Sequence, residues 1–412
     1  MNFRISNWLQ QVTQSAKGLL DLTETEDPIA DLVERSNDLL SRKGEATGLA
    51  LASSVVQAWT ALESEQQREW FEKLVTEFGV DEQAIAEAIK GYDDAPSSTA
   101  ASRLHAASEP RRQELFRRIN AAPGGLLCLI QMRASLRPLT RKNPELAAVE
   151  QDFLHLFSSW FNKGFLTLRQ IDWSTPAYIL EKLIRYESVH EIQGWDDLRR
   201  RLADDRRCFA YFHPVIPDEP LIFVEVALVN GIADAIGPLL APPQENPAEP
   251  DTAVFYSINN CQPGLTGVSF GNLLIKQAAS MLQAENPKLK KFVTLSPVPG
   301  FRRWVESQQI DVSDQSKLKW LCAHYLTQFS KDRLIDPVAR FHLGNGARLE
   351  RINENADTSE IRMDQSYGLM VNYLYELDEI VDNHERLMEE SVVALSKSVQ
   401  QLVKTADAKL SE

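Results

Sequence analysis

FYSINNCQPGLTGVSFGNLLIKQAASML, residues 255–282, joins a short β-branched and aromatic run to a glycine-bearing turn and then to a helical pattern. FVTLSPVPGFRRW, residues 292–304, supplies the next strand and its turn. A strand that stops at such a turn and feeds a helix leaves unpaired N–H groups at the helix N-terminus, where the helix dipole also favours anions. The order predicts a phosphate cradle beside a polar strand end, and a guest that carries a pyrophosphate. Gly264, Gly267 and Gly271 are spaced G-x-x-G-x-x-x-G. This is neither the G-x-G-x-x-G of a Rossmann site nor the G-x-x-x-x-G-K-[ST] of a P-loop, so both nucleotide signatures are excluded.

The remaining chain sets the frame. Its 412 residues, 43% of them apolar, suffice for two or three cores, and the formal charge of −14 argues against nucleic acid or an anionic membrane as the main partner. A polyanionic guest then requires a local basic rim, for which Lys276, Lys288, Lys290, Lys291, Arg302 and Arg303 flank the cradle. Cys128, Cys208, Cys261 and Cys322 lie far apart with no C-x-x-C pair and read as reduced core thiols. The seven histidines show no H-x-x-x-H or His/Cys clustering, so no metal site is expected. No run of about 18 apolar residues is present, which excludes a transmembrane helix. The start lacks a signal-peptide pattern, and Trp8, Leu9 and Val12 fit one face of a helix instead. The end, KLSE, is not a peroxisomal address, leaving a bacterial cytoplasm as the expected location.

Residues 1 to about 150 read as helices throughout, with Leu49, Ala52, Val55, Val56, Trp59 and Leu62 at helical spacing, and Trp70, Phe71, Leu74, Val75 and Phe78 likewise. Breaks fall at Lys43-Gly44, Gly79-Val80-Asp81 and Tyr92 to Ser98, and Asp81 is a candidate N-cap. Nothing in this half looks chemical, and a helical scaffold or oligomerisation domain over 1–150 is expected. From 151 to 412 the pattern is α/β with a mixed central sheet: Cys208 to His213, Leu221 to Val229, Ala253 to Ile258 and Phe292 to Ser296 are strand-like runs. Ile236 to Thr252 is proline-rich and reads as a long surface connection, and Glu379 to Leu410 as one terminal helix.

The turn after Gln262 is close to the Gln-x-x-Gly-x-Gly loop with which the GNAT acyltransferase fold grips coenzyme A, although Pro263-Gly264-Leu265-Thr266-Gly267 displaces the first glycine. Four ordered blocks carry a wider resemblance: HPVIPDEPLIFVEVAL (213–228), FYSINNCQPGLTGVSFGNLLIK (255–276), FVTLSPVPGFRRW (292–304), and FHLGNGARLERINENADTSE (341–360) continuing to SYGLMVNYLY (366–375). Together they resemble malonyl-CoA decarboxylase over most of the chain after about residue 150. The resemblance implies an α+β protein, with an N-terminal all-helical domain and an acyltransferase-like (GNAT fold) catalytic domain turned to decarboxylation. It further implies malonyl-CoA as the partner, a homo-oligomer that is a tetramer, and no cofactor beyond the coenzyme A of the substrate.

Decarboxylating a malonyl thioester moves the C–C electrons into the thioester, so the site needs oxyanion donors, a proton donor and a dehydrated pocket for the carboxylate. By resemblance the catalytic serine is Ser296, in TLSPVPGF, and the catalytic histidine is His342, in FHLGNGA. An imidazole titrating near physiological pH would suit the proton donor. Leu295-Ser296-Pro297 lacks the G-x-S-x-G elbow of an attacking serine, so Ser296 reads as a hydrogen-bonding partner rather than a nucleophile. Tyr375 matches a position near the reacting thioester, with Asn345 and Asn372 as further donors. The coenzyme A segment of the family maps onto Thr266, Gly267, Val268, Ser269, Phe270, Gly271 and Asn272, with Gly264 as a weaker candidate. Two other functions fit a fold of this kind: an acyl-CoA-dependent acyltransferase and a non-catalytic acyl-CoA sensor.

Overall fold

The structure, a computed structural model, describes residues 27–41, 44–162, 164–242, 249–268 and 274–410. The chain divides into two compact units, one made of Met1–Leu166, His213–Pro217 and Gln262–Ser269, the other of Thr167–Phe212, Asp218–Cys261 and Phe270–Glu412.

In the first unit the described elements are helical: α1 (Pro28–Ser41), α2 (Glu45–Thr60), α3 (Ser64–Thr76), α4 (Glu82–Asp94), α5 (Ser98–Ser108), α6 (Arg111–Asn120), α7 (Gly125–Thr140) and α8 (Ala147–Trp160). The helical spacing resolves into one core, because Leu51, Val55 and Trp59 of α2, Trp70, Phe71 and Leu74 of α3, and Phe116 of α6 are all buried. Phe116 stacks on Phe153 of α8 with ring centroids 4.2 Å apart. Asp81 caps α4 by accepting from the N–H groups of Gln83 and Ala84, both at 3.0 Å. Helices α4 and α5 differ from the rest in burying none of their residues. The face assigned to Trp8, Leu9 and Val12 lies outside the described residues.

The second unit is built on β1 (Thr167–Ile171), α9 (Ala177–Tyr186), α10 (Trp195–Arg201), β2 (Arg206–His213), β3 (Ile216–Val229), α11 (Gly237–Leu240), β4 (Thr252–Asn260), α12 (Leu274–Glu285), β5 (Lys291–Thr294) and β6 (Ser296–Pro297). It continues through α13 (Phe301–Ser307), α14 (Leu318–Thr327), the small ribbon β7 (Phe329–Ser330) and β8 (Arg333–Leu334), α15 (Pro337–Gly344), β9 (Arg348–Asn353), α16 (Glu360–Ser366), β10 (Met370–Leu374), α17 (Ile380–Glu390) and α18 (Lys397–Leu410). The main sheet runs β1-β2-β3-β4-β5-β10-β6, with β9 on the other side of β10. It is mixed, because β4 and β5 pair in parallel while β1–β2, β3–β4 and the three ladders of β10 are antiparallel.

Two irregularities open this sheet at its centre. The β4–β5 ladder stops at Phe255–Thr294, with one last bond from the Leu295 N–H to the Phe255 carbonyl at 3.0 Å, whereas β4 continues on its β3 side as far as Asn260–Ile222. A register shift at Glu225/Val226 accompanies the parting, as a bulge bends a strand away from its neighbour. On the far side β10 pairs with β5 at Leu374–Val293 and with β6 at Val371–Ser296, so the rung between them is missing.

The terminal segment corrects the expectation of one helix. Ser391 adopts φ 56°, ending α17, and Val392 to Leu395 run extended, with Leu349 donating to the Ala394 carbonyl at 2.9 Å and Ser396 donating to the Leu349 carbonyl at 3.0 Å. The β-branched pair Val392-Val393 and the small Ser391 favour this break over continued helix. The proline-rich connection contains the short helix α11, and residues 243–248 within it lie outside the described residues.

Candidate active site

Ser296 follows the Leu295 gap, where the chain leaves β4 and joins the ladder of β10. It is 6% exposed, and its Oγ lies 3.1 Å from Nε2 of His342. His342 stands in the last turn of α15, a helix started by Pro337 and capped by Asp336, whose buried carboxylate accepts from the Ala339 N–H at 2.7 Å and from the Tyr325 hydroxyl at 3.1 Å. Its ring stacks on Tyr373 with centroids 4.6 Å apart, and its Nδ1 meets the Tyr375 hydroxyl at 2.9 Å. The structure thus brings Ser296, His342 and Tyr375 into one hydrogen-bonded series.

The missing rung is filled by side chains. The Thr294 Oγ1 accepts from the Tyr373 N–H at 3.2 Å and from the Ser296 hydroxyl at 3.0 Å. Asn372 donates through Nδ2 to the Thr294 carbonyl at 2.9 Å and accepts through Oδ1 from Asn353 at 2.8 Å and Arg351 at 3.1 Å. Asn372 is therefore fully engaged as a strut rather than free to meet a ligand. Asn345 differs. It lies near enough to Tyr375 to oppose the rise in its phenol pKa, yet its Nδ2 is shut off from solvent with no well-formed hydrogen bond.

Burial dominates the electrostatics. It pushes the His342 imidazole down to about 3, against the general preference for imidazolium at a helix C-terminus. The expectation of a histidine titrating near physiological pH is corrected accordingly: so enclosed, His342 is neutral. Burial likewise raises the Tyr375 phenol well above its ordinary value, so at rest it is protonated.

The glycine turn belongs to the other unit. Gln262 to Val268 is tied down by Arg133 of α7, which is 1% exposed, donating to the carbonyls of Gly264 at 2.5 Å and Thr266 at 2.9 Å while pairing with Glu150 of α8 at 2.7 Å. Gly264 is required by packing, since a Cβ there would sit 2.0 Å from the Ile130 carbonyl oxygen. Gly267 is required by backbone conformation, with φ +86°. The N–H groups of Thr266 and Val268 are used inside the turn, by the carbonyls of Pro263 at 3.2 Å and Leu265 at 3.0 Å. Of the three described candidates, only Gly267 has an N–H not engaged in this turn. Ser269, Phe270, Gly271 and Asn272 lie outside the described residues.

Several participants had no sequence signal. Arg133 and Arg137 stand one turn apart on an otherwise apolar helix, a pattern that marks a buried pair only once a carboxylate is known to lie opposite. Glu187, in the turn after α9, gathers both N–H groups of Val189 and His190 at 2.8 Å, the Ser257 hydroxyl at 2.7 Å and the Asn259 amide at 2.7 Å, pinning β4 beyond the point where β5 leaves it. Of the expected basic rim, Lys288 pairs with Glu249, and Arg302 with Glu306 and Asp364. The four cysteines are buried and unpaired, and burial raises the Cys261 thiol well above its ordinary value, as an inert core thiol requires. Among the described residues no His, Cys, Asp and Glu cluster of metal-ligating size occurs, and no helix is long and apolar enough to cross a membrane.

Residues 78–161 match the family model of the malonyl-CoA decarboxylase N-terminal domain, and residues 164–319 and 308–412 match that of the C-terminal domain. Mitochondrial malonyl-CoA decarboxylase of Mus musculus is 32% identical over 405 residues, covering 83% of this chain and 82% of its own length. The crystal structure of malonyl-CoA decarboxylase from Rhodopseudomonas palustris superimposes with a TM-score of 0.86 at 46% identity, covering 90% of this chain and 99% of that one. The corresponding structure from Agrobacterium vitis gives 0.84 at 47% identity, with the same coverage of both chains. Matched along both its helical and its α/β parts, the chain belongs to the malonyl-CoA decarboxylase family.

Proposed function

We propose that this enzyme decarboxylates malonyl-CoA to acetyl-CoA and CO₂ through a stabilised thioester enolate, with Ser296, His342 and Tyr375 as its catalytic residues. The observation that carries the reading is the hydrogen-bonded series Tyr375–His342–Ser296 beside the parting of β4 and β5. Loss of CO₂ leaves the electron pair on the α-carbon, delocalised onto the thioester oxygen, and that carbon must then take a proton. A thioester enolate carbon is a far stronger base than an alkoxide or phenolate, so a neutral hydroxyl suffices as its acid. Ser296 gives its O–H proton to the carbon, His342 returns Nε2–H to Ser296, and Tyr375 passes its proton to Nδ1. The negative charge released from the enolate then resides on Tyr375 until solvent supplies the one proton that each turnover consumes. A neutral imidazole fits this relay, because it accepts at one nitrogen while it donates at the other.

The turn from Thr266 to Asn272 is proposed to hold the coenzyme A pyrophosphate, supported by the positive φ of Gly267 and by its N–H, which the bonds within the turn do not use. No cofactor other than the substrate's own coenzyme A enters the scheme. The helical part, proposed as an oligomerisation domain over 1–150, offers α4 and α5, none of whose residues is fully buried within the chain, for assembly into a tetramer. The four buried, unpaired thiols support a reducing setting such as the cytoplasm. Incubation with malonyl-CoA alone tests the activity: acetyl-CoA and CO₂ without an acceptor are expected. A requirement for an amine would make the chain an acyltransferase, and binding without turnover would make it a sensor.

A further inference from the structure

We propose that Thr294 is a positioning residue that fixes which nitrogen of His342 carries the proton, and thereby sets the direction of the relay. The inference deepens the reading above and rests on it for the link to turnover, while the assignment itself stands on hydrogen-bond directions.

The Thr294 Oγ1 is held in place by the Tyr373 N–H at 3.2 Å, a bond forced on it by the missing rung of the β10 ladder. It also accepts the Ser296 hydroxyl proton at 3.0 Å. A serine whose only proton points at Thr294 meets His342 with a lone pair, so the 3.1 Å contact is a bond from Nε2–H to Ser296 Oγ. A neutral imidazole has one N–H, hence Nδ1 is an acceptor, and the 2.9 Å contact is a bond from the Tyr375 hydroxyl to Nδ1. The far end agrees. Asn345 lies beside Tyr375 on that side and opposes the rise in its phenol pKa, the effect of an N–H facing the phenol oxygen. Every proton therefore points from Tyr375 toward Ser296 and Thr294, the direction that delivers a proton to Ser296 when its own leaves for the substrate. Ser296 is ready to react after one rotation of its hydroxyl off Thr294.

Without the Thr294 hydroxyl, Ser296 turns its proton onto Nε2. The imidazole then carries its proton on Nδ1, and the series can no longer refill Ser296. In a serine hydrolase triad the wrong tautomer lowers kcat by about 10⁴-fold, and here the expected loss for Thr294→Val is about 10²-fold or more with KM within roughly twofold. Thr294→Ser, which keeps the oxygen, should recover most of it.

The decisive readout is independent of activity. With [¹⁵N]histidine-labelled protein and the His342 signals identified by their loss in His342→Gln, the folded wild type should show a protonated Nε2 and an unprotonated Nδ1. Thr294→Val should show the reverse, and Thr294→Ser the wild-type pattern. A protonated Nδ1 in the wild type overturns the proposal without any variant, as does a folded Thr294→Val with wild-type kcat or an unchanged tautomer. Full activity in Ser296→Ala would instead remove the catalytic reading beneath it and leave the tautomer assignment standing.

Discussion

Replacing Arg133 with Met tests whether the glycine turn is built by a buried cation. The side chain is 1% exposed, pairs with Glu150 at 2.7 Å, and donates to the Gly264 and Thr266 carbonyls at 2.5 and 2.9 Å. Breaking a buried pair from one side costs about 3–5 kcal/mol, because the other charge is left uncompensated. The Glu150 side chain is 18% exposed and Arg137 lies 3.7 Å from the same carboxylate, which places the ion-pair loss at the lower end. Two carbonyls deprived of a donor add about 1 kcal/mol between them after partial hydration. The expected total of about 4 kcal/mol corresponds to a fall in Tm of roughly 8–16 °C for a unit of this size. Differential scanning calorimetry measures it, and KM for malonyl-CoA should rise alongside, since the turn proposed to grip coenzyme A loses its anchor. The double variant Arg133→Met, Glu150→Leu should regain part of the stability, because no buried charge then lacks a partner. A single variant that melts within 2 °C of the wild type, or a double variant less stable than the single, would refute the reasoning.

Ser296→Ala and His342→Asn should each lower kcat by about 10²–10⁴-fold with little change in KM, and the double variant should be hardly worse than the worse single, as for groups acting as a unit; additive losses would dissolve the pair. Gly267→Asp should raise KM for malonyl-CoA, since it sets a carboxylate in the turn proposed to hold the pyrophosphate and strains a φ of +86°, and an unaltered KM in the folded variant would take this turn out of the site. Burial holds His342 at about 3 and His190 at about 4 in the folded state, so between those values and the ordinary 6.5 only the unfolded chain takes up the protons. Their stability contribution is full above about pH 6.5 and is lost as pH falls, at up to about 1.4 kcal/mol per pH unit for each, and His342→Asn should flatten the acid limb of a Tm-against-pH curve. Light scattering at micromolar concentration should report a tetramer, and a monomer would leave α4 and α5 without the proposed role.

Element types were legible where the pattern was locally determined. Asp81 at the start of α4, the strands around Cys208 to His213 and Ala253 to Ile258, and the helical stripe through Val55 and Trp59 follow from capping chemistry and side-chain spacing, which depend on neighbours in sequence. The proximity of Ser296 to His342 did not follow from spacing at all, being a contact across 46 residues that only the resemblance suggested. Charge states were less legible still. Whether a histidine titrates near 6.5 or near 3 depends on how completely the fold encloses it, and FHLGNGA holds no trace of the Tyr373 ring that stacks on it. Gly264 reads in sequence as part of a phosphate cradle, but the Ile130 carbonyl 2.0 Å from its would-be Cβ gives it a packing duty instead.

The proposed proton relay and the integrity of the sheet meet in the same few atoms. A β-ladder interrupted between Leu374–Val293 and Val371–Ser296 leaves main-chain groups of β10 to be satisfied in a buried place, where an unpaired donor costs about 1–3 kcal/mol. Thr294 satisfies the Tyr373 N–H with its side chain, and Asn372 reaches back to the Thr294 carbonyl. The interruption frees Ser296 to turn toward His342 instead of continuing as an ordinary rung of β5. The opening beside the proposed site is thus stabilised by the residue proposed to orient its protons, so losses at Thr294 should combine stability and turnover. Melting curves and the histidine tautomer separate the two: loss of the rung lowers Tm whatever His342 does, whereas loss of the acceptor moves its proton.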